Sequence, residues 1–149
     1  MSLFVAGTLT NAGRIRSEQQ LDIWAKEALK NSGILSAPDL FVYTEGLLDN
    51  LLTGIIHAGQ KLNLYSKAVL DNNGQIVSEG TAQLASESLL RNMKTGSITA
   101  HKELKAMAAD ILSNAGSVLG KDKVSLEAVN WLVHTLTGDI FNLSITFNC

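Results

Sequence analysis

The sequence predicts an all-β fold: a parallel β-helix, a solenoid of about seven coils of 20–22 residues each. Three observations carry this reading. First, a corner signature of Asn followed by Gly recurs along the chain as Asn11/Gly13, Asn31/Gly33, Asn50/Gly54, Asn72/Gly74, Asn92/Gly96 and Asn114/Gly116. Gly138 continues it with His134 in the Asn place, and successive glycines are 20, 21, 20, 22, 20 and 22 residues apart. Second, an apolar residue stands at a fixed offset on either side: Leu9, Leu29, Leu48, Leu70, Leu90, Leu112 and Leu132 before the corner, and Ile15, Leu35, Ile56, Ile76, Ile98, Val118 and Ile140 after it. Third, apolar and polar residues alternate between corners, as in KLNLYS and GQIVSEG, which is the period of a strand.

In chain order, each unit begins with a short strand closing on Leu-x-Asn. At the corner, glycine is expected to supply a positive φ without steric cost, while Asn tolerates the left-handed region and bonds nearby backbone. Stacked from coil to coil, the Asn amides are expected to hydrogen-bond as a ladder. The aliphatic after the glycine opens a second strand. A third apolar pair follows most corners, at Leu21/Ile23, Leu40/Val42, Leu62/Leu64, Ala82/Leu84, Leu104/Ala106 and Val124/Leu126, and a small residue comes two further on, at Ala25, Thr44, Ser66, Ser86, Ala108 and Ala128. Asn50, Asn92 and His134, spaced 42 residues apart, open corners with two extra residues, which suits a wider turn or a bulge on alternate coils. Pro38 is expected between strands, where a missing N–H does no harm.

Two segments, IWAKEALKNS and HKELKAMAADIL, would pass for amphipathic helices alone. Their equivalents FVYTEGLLDN and LYSKAVLDNN favour strand through aromatic and β-branched content, and repeating units must share one conformation. Coils paired about 4.8 Å apart give a rod on the order of 34 Å long. Its Leu and Ile columns are buried only against neighbouring coils.

Composition narrows the function classes. The 149 residues are 46% hydrophobic and 17% charged with net charge -2, and basic blocks are absent, so nucleic acid is not an expected partner. No apolar run approaches the length of about 20 residues that a spanning helix needs. The first nine residues lack a signal-peptide pattern. Residues 1–3 read as a cloning remnant, so the chain, one domain over 1–149, is expected to be an excised fragment. Cys149 is the only cysteine, which leaves no intrachain disulfide and no thiolate metal site; it could crosslink two chains.

The pattern Leu-x-Asn-x-Gly-x-Ile, best seen in VLDNNGQIVSEG and ILSNAGSVLGKD, resembles the haemagglutinin repeats of filamentous-haemagglutinin-like exoproteins over roughly residues 3–141. WLVHTLTGDIF departs from it at His134. The resemblance implies a right-handed helix, in line with the general bias of parallel crossovers. It also implies a secreted or cell-surface location and a bacterial two-partner-secretion parent: an adhesin, a haemolysin or a contact-dependent growth-inhibition protein. The partners it implies are flanking β-helical coils, an outer-membrane secretion transporter and a host or bacterial receptor. The function expected first is therefore a structural shaft segment with no cofactor. An excised shaft has unpaired strand edges at both ends, so end-to-end self-association is also expected.

Two other functions have candidate residues. Alternation sends Trp24, Tyr43 and Tyr65 outward in adjacent coils, with Met107 further along that column, which would suit a contact with glycan or protein. The competing reading is that these rings sit at a corner and lie over backbone and neighbouring side chains. A carbohydrate-active enzyme would need two carboxylates converging on a cleft. The acids Asp22, Asp39, Asp49, Asp71, Glu79, Glu87, Asp110, Asp122 and Asp139 are instead expected to be dispersed over turns and outer faces. His57, His101 and His134 fall at different places in their coils and are not expected to form a column, with His134 standing in for a corner Asn. Lys26, Lys67, Lys94, Glu27, Glu45 and Glu87 read as a solvated exterior.

Overall fold

The computed structural model describes residues 1–134 and the backbone of the strand at 139–147. Gly138, expected at the last corner, and Cys149, expected to be able to crosslink two chains, lie outside the described residues. The described chain is strand and turn without a helix. In order, the strands are β1 (Ser2–Val5), β2 (Leu9–Asn11), β3 (Arg14–Arg16), β4 (Gln20–Ala25), β5 (Leu29–Asn31), β6 (Ile34–Thr44), β7 (Leu48–Asn50), β8 (Ile55–Ser66), β9 (Val69–Asn72), β10 (Gln75–Ser78), β11 (Thr81–Ser86), β12 (Leu89–Asn92), β13 (Ser97–Ala100), β14 (Glu103–Ala108), β15 (Ile111–Asn114), β16 (Ser117–Ala128), β17 (Trp131–His134) and β18 (Asp139–Phe147).

The strands stack in parallel as a solenoid of about seven turns. The pre-corner strands form a seven-stranded sheet, β2-β5-β7-β9-β12-β15-β17, and the others form an eleven-stranded sheet. Register is strict where the repeat is strict: Leu9, Leu29, Leu48, Leu70, Leu90, Leu112 and Leu132 pair in succession. In the inner coils these leucines, the post-corner aliphatics and the third apolar pair are all buried. Each fully buried Leu or Ile contributes roughly 1.5–3 kcal/mol.

The Asn corners stack into a continuous, directional amide ladder. Asn11 Nδ2 donates to Asn31 Oδ1 (2.8 Å), Asn31 to Asn50 (2.9 Å), Asn50 to Asn72 (2.9 Å), Asn72 to Asn92 (2.9 Å) and Asn92 to Asn114 (2.8 Å). The second Nδ2 proton reaches a backbone carbonyl of the following coil, such as Ser97 O from Asn72 at 3.2 Å. His134 ends the described ladder with Nδ1 at 3.3 Å from Asn114 Nδ2. Asn114 donates there through Nδ2, so Nδ1 takes the accepting place that an Asn oxygen holds at the other corners.

The reason for glycine at the corners differs from the expected one. None of the described corner glycines, Gly13, Gly33, Gly54, Gly74, Gly96 and Gly116, adopts the left-handed backbone. What holds the position is the closeness of the coil beneath. A Cβ at Gly33 would strike the Gly13 carbonyl, one at Gly74 the Gly54 and Leu51 carbonyls, and one at Gly116 the Gly96 and Met93 carbonyls. One at Gly13, in the first coil, meets nothing within 4 Å. Close stacking of backbone on backbone therefore selects glycine at Gly33, Gly74 and Gly116, and no positive φ is involved.

Three further features depart from or refine the expected pattern. Pro38 lies inside β6, at a register shift between Ala37 and Asp39 that spares the sheet a donor. Strands are not uniformly short: β6 spans 11 residues and β8 and β16 span 12 each. The path of β8 is broken between β10 and β11, where Ser78 Oγ donates to Thr81 O (2.7 Å) and accepts from Gly80 N (3.3 Å), closing a turn. The wide corners hold a compact turn, with Gly54 N donating to Leu51 O and Gly96 N to Met93 O, each at 2.8 Å.

The small column is buried where the chain turns out of the eleven-stranded sheet. Its hydroxyls satisfy backbone carbonyls: Thr44 Oγ1 to Gly46 O (2.9 Å), Ser66 Oγ to Gly46 O (2.7 Å) and Ser86 Oγ to Ala68 O (2.6 Å).

Candidate contact surface

Strand parity places the outward aromatics. Ile23, Val42 and Leu64 point inward, so Trp24, Tyr43 and Tyr65 point outward in one register column, with Ala85, Met107 and Glu127 continuing it. The column also extends one coil toward the N-terminus, to Phe4. Phe41, two residues from Tyr43 on the same face of β6, joins from the side. Ring centroids are 6.2 Å apart for Phe4–Trp24, 5.1 Å for Trp24–Tyr43, 5.2 Å for Trp24–Phe41 and 5.5 Å for Tyr43–Tyr65.

The two tyrosines are nearly parallel at 4° and Phe4 stacks on Trp24 at 16°, whereas Trp24 is tilted 42° from Tyr43 and 48° from Phe41. Each ring pair is worth about 0.5–1.5 kcal/mol beyond its burial. The rings thus lie over neighbouring side chains and stiffen the face, as the competing reading expects, yet Trp24 stays 38% exposed. Counting the third apolar column from Leu21 onward misses Phe4 and Phe41. Stepping that column back one coil reaches Leu3 and hence Phe4.

A charged column runs beside the rings at the corner. The amides of Lys26, Glu45, Lys67 and Glu87 each donate to the coil beneath, so these exposed side chains follow one another up the shaft with alternating sign. They couple to the rings. The Tyr65 hydroxyl donates to Glu87 Oε1, and this bond pushes the phenol up to about 12. A hydrogen bond with Tyr43, helped by Glu45, holds the Lys67 ammonium above its usual value. Between rings and charges lies a shallow groove of about 340 Å³, lined by Phe4, Trp24, Lys26, Tyr43 and Glu45 among others.

The other candidate groups are structural in their contacts. His57 and His101 do not pair in register, but Glu79 joins them, with His57 Nε2 at 3.2 Å from Oε1 and His101 Nδ1 at 2.8 Å from Oε2. Asp49 and Asp71 are register partners on the seven-stranded sheet, and Arg91 clamps Asp71 through two bonds of 2.6 Å. Asp49 Oδ1 is buried without a partner, and burial, then the Asp71 charge, raises its carboxyl above the ordinary value. Asp22 and Asp39 line a groove of about 240 Å³, but Gln20 Nε2 already donates to both Asp22 oxygens, at 2.8 and 3.0 Å. Among the described residues, no group of three His, Cys, Asp or Glu side chains is arranged to hold a metal ion.

The family model described as "Haemagglutinin repeat" matches residues 5–93 and 88–130. No curated protein and no solved structure matches the chain.

Proposed function

Since the chain belongs to the haemagglutinin-repeat family, we propose that it serves as a segment of a rigid β-helical shaft in a secreted or surface-exposed bacterial adhesin or haemolysin-like protein. The observation that carries this reading is the unbroken amide ladder. Each coil presents to the next the donors, acceptors and apolar layer that it receives from the one before, so length is added without new chemistry. The partners of such a segment are further coils of the same kind, and its export partner is an outer-membrane transporter. Leu3, Leu9 and Ile15 in the first coil are only partly buried, whereas their equivalents one coil on, Ile23, Leu29 and Leu35, are 0% exposed. That open layer supports end-to-end association of the isolated chain. A catalytic role gains little support, because in each neighbouring pair of carboxylates one is already held, Asp71 by Arg91 and Asp22 by Gln20.

The test is excision of a whole two-coil unit. Deleting residues 51–92 joins Asn50 to Met93 and keeps a wide corner intact. A shaft tolerates this, giving a folded β protein whose longest dimension in solution scattering falls by about 10 Å, two coil spacings. An unfolded or aggregated deletion variant refutes the proposal.

A further inference from the structure

We infer that the groove beside Trp24 is a binding site for an uncharged, hydroxyl-rich chain: a neutral β-linked glycan lying along the shaft axis. This adds a ligand to the shaft without depending on its length or export. Four features select that class. Phe4 and Trp24, stacked on each other at 16°, are tilted together from the tyrosine pair and stay 77% and 38% exposed, so they offer apolar surface to the C–H face of a sugar. Lys26 and Glu45 stand on the groove wall, one a donor and the other an acceptor, which is what a hydroxyl needs on its two sides.

The charge column is the third feature. Lys26, Glu45, Lys67 and Glu87 alternate in sign, so a polyanion or a polycation would meet repulsion at every second coil, while an uncharged chain meets alternate donors and acceptors. The fourth is spacing. Coils repeat about every 4.8 Å, close to the advance of one hexose in an extended β-linked chain, so successive sugars would meet successive wall positions, a donor and then an acceptor. An extended peptide lacks the same support. The strands beneath, β4, β6 and β8, are each hydrogen-bonded to neighbours on both sides, which leaves no free edge for strand addition. A groove of about 340 Å³ is at the small end for ligand sites and has room for one or two sugar rings.

The chain holds two tryptophans, Trp24 and Trp131. In a Trp131→Phe background, Trp24 fluorescence reports on the groove alone. Hexasaccharides of β-1,4-linked glucose, N-acetylglucosamine and xylose are titrated in, with heparin and polylysine in parallel. The expected result is a saturable emission change with at least one neutral hexasaccharide, weakened at least about tenfold by Lys26→Ala/Glu45→Ala, two exposed positions whose replacement leaves the β circular dichroism intact. No change with any neutral hexasaccharide at about 10 mM overturns the inference. So does heparin or polylysine binding as tightly as the best neutral chain, or full affinity in the double variant. Each of these failures leaves the two-coil excision result, and with it the shaft reading, standing.

Discussion

Replacing Asn72 by Asp changes one NH2 group of the ladder into an oxygen at a site 0% exposed. Asn50 Nδ2 can still donate to the new side chain, as it does to Asn72 Oδ1 at 2.9 Å. The two bonds that Asn72 itself donates, to Asn92 Oδ1 at 2.9 Å and to Ser97 O at 3.2 Å, are lost and become oxygen–oxygen contacts. Two buried acceptors without partners cost about 1–3 kcal/mol each, so the variant should be about 4 kcal/mol less stable at pH 7. Burial penalises the carboxylate, which raises its folded pKa above the ordinary value of about 3.9. The native state then binds the proton more tightly than the unfolded state. The deficit is therefore smallest below about pH 4, where the acid can donate to Asn92, and grows as pH rises through the folded pKa. Asn72→Ala loses the same donors but adds no charge, so its deficit should not vary with pH. Urea denaturation followed by circular dichroism at pH 4 and 7, each against the parent chain, measures both. An Asn72→Asp deficit below about 1 kcal/mol at pH 7, or one that persists unchanged at pH 4, refutes the claim that the ladder donors hold adjacent coils together.

The remaining predictions concern single positions. Gly74→Ala should abolish or severely destabilise the fold because its Cβ meets backbone carbonyls, whereas Gly13→Ala should unfold within about 0.5 kcal/mol of the parent; equal losses at the two sites in thermal melts would refute the steric account. Asp49→Asn removes a like-charge register pair and should stabilise by about 0.2–1 kcal/mol at pH 7. Because the Asp49 carboxyl is raised, its penalty is absent when the group is protonated, so the gain should disappear near pH 3 in paired urea titrations. Tyr65 should ionise near pH 12 in a spectrophotometric titration, and Glu87→Gln should lower that value. The raised phenol keeps its proton in the native state while the unfolded chain loses it, so this contribution falls as pH rises from about 10 to about 12.

Much of this molecule is legible in one dimension because a solenoid maps sequence period onto axial position. The Asn ladder, the Leu column and the outward parity of Trp24, Tyr43 and Tyr65 all follow from counting. What counting could not reach depends on contacts between coils. Glycine at Gly33, Gly74 and Gly116 answers the carbonyls of the coil beneath, a demand that vanishes at Gly13 and so cannot be a property of the turn alone. The His57–Glu79–His101 contact depends on side-chain reach between coils of unequal length, which no register column describes. Pro38 sits within β6 because an irregularity takes up its missing N–H, and local propensity reads only the breaker.

The alternation of narrow and wide corners has a mechanical consequence. Coil-to-coil hydrogen bonds run along the shaft, so a pull applied at one end peels the terminal coil while those behind it stay paired. From the third corner onward the corner glycines are 20, 22, 20 and 22 residues apart. At about 3.3–3.6 Å of extended chain per residue, successive coils pay out roughly 66–72 Å and then 73–79 Å of slack. Under tension the shaft behaves as a ratcheted spool with two alternating step lengths, which absorbs load in instalments long before the whole structure is lost.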